Sequence, residues 1–263
     1  MANSKSGETV LERCVRVLEA FDLTHSSLTV SEISRRANLP MSTAHRLVAE
    51  LVDIGLLDRG EDKRLVMGQR AWEIFARTNP VESLRFRARP VLEGVHSAVQ
   101  QFTSLAVPQF DDDEVLFIER YTQFGDAEIR ATQGGRMDLF DNSNGIIFLA
   151  HAPFDVLERV FSKPMVSKTD GKTYDVAVVQ EQVEFARRMG YARVSNGMVR
   201  ENVAYAVPLM GTDGRVVAAI SVVGRADECD DDVILTVLAA SGNQLSHGEN
   251  PLMLPRIPRH GRA

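Results

Sequence analysis

Residues 38–51, NLPMSTAHRLVAEL, crowd Ser42, Thr43, His45 and Arg46 at the start of a segment whose apolar residues Ala44, Leu47, Val48 and Leu51 recur at helical spacing. Pro40 suits the opening of such a helix, where a missing N–H costs nothing, and Asn38 tolerates a left-handed cap on whatever helix precedes it. Ser42, His45, Arg46 and Ala49 then lie on the face opposite the apolar stripe. Catalysis is a poor use for that face. A nucleophile and base one to three residues apart on a helix do not readily bond each other, no strand-turn-helix elbow surrounds Ser42, and no orienting carboxylate stands nearby. A helix N-terminus does offer free N–H groups to a phosphate. Ser42, Thr43 and Arg46 would add side-chain donors there, while Met41 and His45 would reach base edges.

Working outward, the flanks agree with that reading. Residues 8–22, ETVLERCVRVLEAFD, place Leu11, Cys14, Val15, Leu18 and Phe21 on one apolar stripe, with Glu12, Arg13, Arg16 and Glu19 on the other face. Thr29 stands three residues before Glu32, the spacing of a capping box, ahead of a short helix carrying Val30, Ile33 and Ala37. After Gly55, LLDRGEDKRLVM reads as two short strands around the turn Gly60-Glu61-Asp62. Helix, helix, turn, helix, hairpin is the order of a winged helix-turn-helix, with the third helix as the DNA reader and Arg59, Lys63 and Arg64 on a wing along the phosphate backbone. The plainer alternatives are an ordinary three-helix bundle and a merely solvated turn.

Charge does not decide the matter. The 263 residues carry a formal net charge of −6, yet residues 1–78 hold 11 Lys and Arg against 11 Asp and Glu, so the whole excess lies beyond them. A local face binds phosphate whatever the global sign. A chain 44% hydrophobic and 25% charged is ordinary for a globular protein. No apolar run approaches the length of a bilayer span, and MANSKSGETV lacks an apolar signal core, so a cytoplasmic protein without membrane attachment is expected. Cys14 and Cys229 form neither a disulfide framework nor a metal cluster. No metal site and no cofactor is expected.

Beyond residue 67 the organisation changes. Residues 68–78, GQRAWEIFART, read as a helix leading to Asn79-Pro80, the expected boundary, and another helix runs from about residue 81 to 101. TSLAVPQF and EVLFIERY are strand-like runs joined by Asp111-Asp112-Asp113. DAEIRATQ follows, and later ENVAYAVPL and GRVVAAISVVG flank the turn Gly211-Thr212-Asp213-Gly214. Helices are expected at about 142–151, 153–161, 176–189 and 230–247. Strands beside helices without βαβ alternation predict an α+β domain on an antiparallel sheet. The segment from residue 251, PLMLPRIPRHGRA, reads as a mobile basic tail.

LPMSTAHRLVAELVDIGLLDR, GGRMDLFDNSNGIIFLA, RRMGYARVSNG and YAVPLMGTDGRVVAAISVVG together make the chain, over roughly residues 8–247, resemble the IclR family of bacterial transcription regulators. The resemblance implies a winged helix-turn-helix DNA-binding domain (1–67), a linker helix (68–79), a GAF-like effector-binding domain (80–248) and a flexible tail (249–263). It also implies homodimers, often dimers of dimers, on palindromic double-stranded operators, responding to a small-molecule effector. Two-fold pairing suits a recognition helix that alone reads only a few base pairs.

The effector itself is addressed by departures from the family. The helix expected near residue 142 would offer N–H groups to a carboxylate, but Asp141 precedes Asn142, Ser143, Asn144 and Gly145, which is unhelpful unless Asp141 caps the helix. Where the family commonly carries an acidic residue, a Cys and two serines, this chain has Gly197, Ala204, Ser221 and Val223. The resemblance therefore implies a roomier, more apolar pocket and a larger, partly hydrophobic or aromatic effector. Asn142, Ser143, Asn144, Gly145, Tyr191, Tyr205 and Ser221 are the candidate contacts, with Met137, Phe140 and Ala204 as walls. The alternatives are a DNA-binding protein without a ligand, or an enzyme in residues 80–250 using groups such as Asp138, Asn142 and His151. For the enzyme the sequence offers no paired carboxylates of defined spacing, phosphate loop, HExxH or CxxC.

Overall fold

The computed structural model describes residues 8–22, 24–60, 62–77, 81–195 and 197–247. Glu61, the Asn79-Pro80 boundary and the basic tail lie outside them. The chain divides into two compact units, residues 1–79 and 80–263.

The first unit runs α1 (Val10–Glu19), β1 (Ser27–Leu28), α2 (Val30–Arg36), α3 (Met41–Asp53), β2 (Leu57–Arg59), β3 (Leu65–Met67) and α4 (Gln69–Arg77). The strands pair antiparallel in the order β1-β3-β2. Capping boxes start both α1, through Thr9 and Glu12, and α2, through Thr29 and Glu32. The turn between α2 and α3 is a Schellman closure: Asn38 takes a left-handed φ of 50°, and the Leu39 N–H reaches the Ser34 carbonyl at 2.9 Å. Arg16 of α1 donates to the carbonyls of Ala37 and Asn38, holding that turn against the first helix. Ala44, Leu47, Val48 and Leu51 of α3 are buried with Val17, Ile33, Leu57 and Leu65. Gly55, at φ 76°, ends the helix.

One expectation fails in α1. Leu11 and Val15 are 78% and 50% exposed, and the buried contact comes instead from Val17, with Cys14 and Leu18 half-buried beside it. The helix is apolar on two sides, and the domain's own core uses only one.

The second unit holds α5 (Glu82–Val99), β4 (Phe102–Gln109), a 3-10 turn (Phe110–Asp112), β5 (Glu114–Tyr121), β6 (Arg136–Asp138), α6 (Ser143–Ala150), α7 (Phe154–Phe161), α8 (Val176–Met189), β7 (Ala192–Ser195), β8 (Asn202–Met210), β9 (Val216–Arg225) and α9 (Asp231–His247). The six strands form one antiparallel sheet, β6-β5-β4-β9-β8-β7. Alternation along the strands sorts their side chains to two faces. Leu105, Val107, Ile118, Tyr205, Val207 and Ile220 pack with Leu84, Leu92, Ile234 and Leu238 of α5 and α9. Ala106, Val115, Phe117, Ala206 and Ala219 pack with α6, α7 and α8. The sheet is thus covered on both sides, which fits strands whose apolar residues run nearly uninterrupted.

DAEIRATQ is not a strand: residues 126–132 are irregular chain, and the strand that pairs with β5 on the side away from β4 is β6. The short edge strands β6 and β7 escaped the sequence reading because three or four residues give too brief an alternation.

Candidate functional site

On the first unit, Met41, Ser42, His45 and Arg46 stand exposed on α3, opposite the buried stripe, with Thr43 half-buried beside them. Arg46 is held to Glu50 one turn on, Nη1 to Oε1 at 2.5 Å, in a solvent-exposed pair of the kind that exchanges readily for another anion. Arg59 is exposed on β2, and Lys63 is exposed at the hairpin turn in a left-handed φ of 63°. Two expected phosphate contacts are engaged elsewhere. The Thr29 hydroxyl and amide both bond Glu32, closing the cap of α2. Arg64 turns inward, donating to the Ser27 carbonyl at 2.8 Å and pairing with Glu32 at 2.9 Å. Those bonds to Thr29 and Arg64 hold the Glu32 carboxyl below its usual range. The helix start and the wing are thereby stitched together.

On the second unit a cavity opens between the sheet, the N-terminus of α6 and residues 128–131, with about 730 Å³ of empty space when the open solvent at its mouth is included. Strand register explains its floor. Arg120, Ser104, Ser221 and Ala206 are successive cross-strand partners in one row, and Phe102, Val223, Ala204 and Val194 form the next. Of these eight only Ala206 is not a lining residue, and Phe117, Met137 and Met198 add apolar wall. Gly197, Ala204 and Val223, the departures noted in the sequence, all line the cavity, as does Ser221, the one family serine kept. Ser221 is its polar hub: its Oγ lies 2.6 Å from Ser104 Oγ and accepts from Asn144 Nδ2 at 2.9 Å.

The cap of α6 is Asn142, not Asp141. Asn142 Oδ1 accepts from the Gly145 N–H at 2.9 Å. Asp141 is buried instead, accepting from Ser167 Oγ at 2.8 Å and Asn142 Nδ2 at 3.0 Å, and burial pushes its carboxyl up to about 6. Asp138 and Asp170 add to that rise. Across the cavity, Arg120 is half-buried with no carboxylate partner among the described residues, and desolvation pulls its guanidinium pKa down. Arg130, by contrast, pairs with Glu128 at 2.6 Å, and the Glu128 carbonyl is pinned by Asn202 Nδ2 at 2.9 Å.

Asn142, Ser143, Asn144, Met137, Ala204 and Ser221 come together as expected, but four candidates fall elsewhere. Tyr205 is the neighbour of Ala204 on a strand and so points to the opposite face, where its hydroxyl donates to Asp231. Tyr191 sets its ring edge-on to Phe185 at 5.6 Å, beside a separate depression against α9. Phe140 packs on Tyr174, also at 5.6 Å. Gly145 faces the Leu139 backbone rather than the cavity. The residues named for an enzyme have structural partners: Asp138 accepts from the Lys168 N–H at 2.8 Å, and His151 Nδ1 lies 3.0 Å from the Ile147 carbonyl. Among the described residues no group of three or more His, Cys, Asp and Glu is placed to hold a metal. Arg120, Ser104 and Asn202 were missed; only register, which brings them beside Ser221 and the cavity, makes them visible.

These features have close counterparts in known proteins. A family model described as the IclR helix-turn-helix domain matches residues 10–61, and one described as the bacterial transcriptional regulator IclR C-terminal matches residues 80–247. The chain is 24% identical over 255 residues to the HTH-type transcriptional regulator BhcR of Paracoccus denitrificans, covering 95% of this chain and 90% of that one. It is 23% identical over 251 residues to the Pca regulon regulatory protein of Pseudomonas putida, covering 91% and 83%. Among solved structures, an IclR homolog from Microbacterium hydrocarbonoxydans complexed with 4-hydroxybenzoate is 35% identical, covering 89% of this chain and 96% of that one, with a TM-score of 0.76. The matched models span both units, and the relatives are transcription regulators, not enzymes. The chain belongs to the IclR family of bacterial DNA-binding transcriptional regulators.

Proposed function

We propose that the protein senses a small aromatic carboxylic acid in the cavity of residues 80–248 and changes its operator binding in response, residues 1–67 reading DNA and 68–79 linking the two. The observation that carries this reading is Arg120, a half-buried cation with no partner among the described residues, set in a cavity walled mainly by apolar side chains. A charge so placed is costly until an anion meets it, and the surrounding Phe102, Phe117, Met137, Val194 and Val223 suit a ring rather than a hydrated two-carbon acid. The 4-hydroxybenzoate bound to the 35%-identical relative supports the same class. Calorimetry against 4-hydroxybenzoate, benzoate and glyoxylate tests it: the aromatic acids bind and glyoxylate does not. Binding of glyoxylate alone refutes it.

Met41 and His45 would read base edges, with Ser42, Thr43, Arg46, Arg59 and Lys63 on phosphates. Exposed Leu11 and Val15 of α1, with Trp72 and Phe75 of α4 at 71% and 65% exposure, offer apolar surface to a second copy, consistent with a homodimer, or a dimer of dimers, on a palindromic site. The effector acts by favouring one of two dimer geometries, so operator affinity shifts by the ratio of its affinities for the two. Anisotropy titrations on a mapped operator should show Arg46→Ala weakening binding to all sequences and flattening the salt dependence by about one charge. His45→Ala should instead relax preference at particular base pairs. Wild-type binding by both variants removes α3 as the reading helix. Among the described residues no helix is long and apolar enough to cross a membrane.

A further inference from the structure

The two ends of the cavity differ in what they lack. At the sheet end, Arg120 presents donors and positive charge without an acceptor among the described residues. At the α6 end the need is reversed. Asn144 is 3% exposed, its Nδ2 donates to Ser221 at 2.9 Å, and its Oδ1 finds no donor among the described residues. A buried acceptor left unpaired costs roughly 1–3 kcal/mol. A carboxylate brings only acceptors, so it leaves Oδ1 as it was.

Charge points the same way. A helix N-terminus ordinarily attracts anions, but here Asp141 is buried immediately before the cap and lines the cavity, with Asp138 and Asp170 close enough to disfavour its charge further. Of the N–H groups that a helix start leaves free, that of Gly145 is already taken by the Asn142 side chain. An anion at this end meets a carboxylate and a depleted set of donors. Two strand spacings, on the order of 10 Å, separate Arg120 from Ser221 along the row through Ser104. That span accommodates a benzene ring carrying groups at opposite positions.

We infer that the effector is bipolar, an aryl acid bearing a hydroxyl or amino donor across the ring, held with its carboxylate on Arg120 and its donor on Asn144 at the start of α6. This rests on the aromatic-acid reading above and adds the orientation, which is the reverse of an anion on a helix N-terminus. Arg120 and Asn144 are then the residues that set specificity.

Calorimetry on the full chain with four probes tests it: 4-hydroxybenzoate, 4-methoxybenzoate, benzoate and terephthalate. The hydroxy acid binds at least tenfold more tightly than the methoxy acid or benzoate, because only it supplies a donor, and terephthalate is weakest because its second carboxylate faces Asp141. In Arg120→Met the affinity for 4-hydroxybenzoate falls at least tenfold, yet its advantage over benzoate survives. In Asn144→Ala that advantage disappears. Should Asn144→Ala fail to fold, the wild-type ranking alone decides, since equal or tighter binding of 4-methoxybenzoate or terephthalate overturns the proposal. Loss of the hydroxyl advantage in Arg120→Met, with its retention in Asn144→Ala, overturns the orientation. If none of the four binds, it is the aromatic-acid reading that has failed.

Discussion

Gly145→Ala is expected to cost the effector domain about 3 kcal/mol or more, the largest effect of any single methyl group foreseen here. A Cβ at this position would lie 2.1 Å from the Leu139 carbonyl oxygen and 2.5 Å from its carbon, both backbone atoms. The usual escape, a rotated side chain, does not exist. Nor does α6 have room to retreat, because all eight of its residues are buried against the sheet, α7 and α8. The clash is relieved only by displacing a helix that also caps the cavity, so ligand affinity should fall with stability. For a domain of this size the loss corresponds to a drop in melting temperature of roughly 6–12 °C. Gly94→Ala is the control. It lies exposed inside α5, where an added Cβ meets nothing within 4 Å, and it should stabilise by up to about 1 kcal/mol. Calorimetric melting of both variants checks the pair; an unchanged melting temperature for Gly145→Ala would mean that α6 is less tightly held than its burial indicates.

The second large effect is a pH dependence centred on Asp141. Burial raises its carboxyl from the ordinary 3.8 to about 6 in the folded chain. Between those values the folded form keeps a proton that the unfolded form has released. Raising the pH therefore draws the equilibrium toward the unfolded chain, and the loss is complete once the pH passes the folded value. A rise of about two units corresponds to roughly 3 kcal/mol at most. Asp141→Asn keeps an oxygen for one of the two accepted hydrogen bonds and removes the charge, so it should be more stable than the wild type at pH 7.5 by roughly 1–3 kcal/mol and less dependent on pH between 4 and 7. Urea unfolding at pH 5 and pH 7.5 measures this. A variant less stable than the wild type at pH 7.5 would show that the ionised carboxylate is held favourably by Ser167 and Asn142, against the direction assigned to it.

Much of this architecture was legible because its signals are local. The capping box at Thr29, the left-handed Asn38, the stripe from Ala44 to Leu51 and the Gly55 stop each depend on residues within a few positions of one another. Together they specify a helix-turn-helix and its exposed face. The cavity is legible only in part, since its walls come from strands more than a hundred residues apart. Ala204 and Ser221 were reached through their resemblance to family positions. Tyr205, one residue on, went wrong because a period of two reverses at every step. Asp141 is near the helix start along the chain, whereas the cap depends on which side chain can reach the third N–H, and that is Asn142. Thr29 and Arg64 misled for another reason: a polar residue near a DNA-facing element is as readily spent on holding that element together.

The alternation along β8 carries one more consequence. Ala204 lines the ligand cavity, and Tyr205 beside it bonds the first residue of α9, so adjacent peptide units serve opposite compartments. The sheet works as a party wall: nothing can be hung on one side without the fixings showing on the other. A larger side chain at Ala204 should therefore be felt in two rooms at once, shrinking the space for a ligand and disturbing the Tyr205–Asp231 contact behind it.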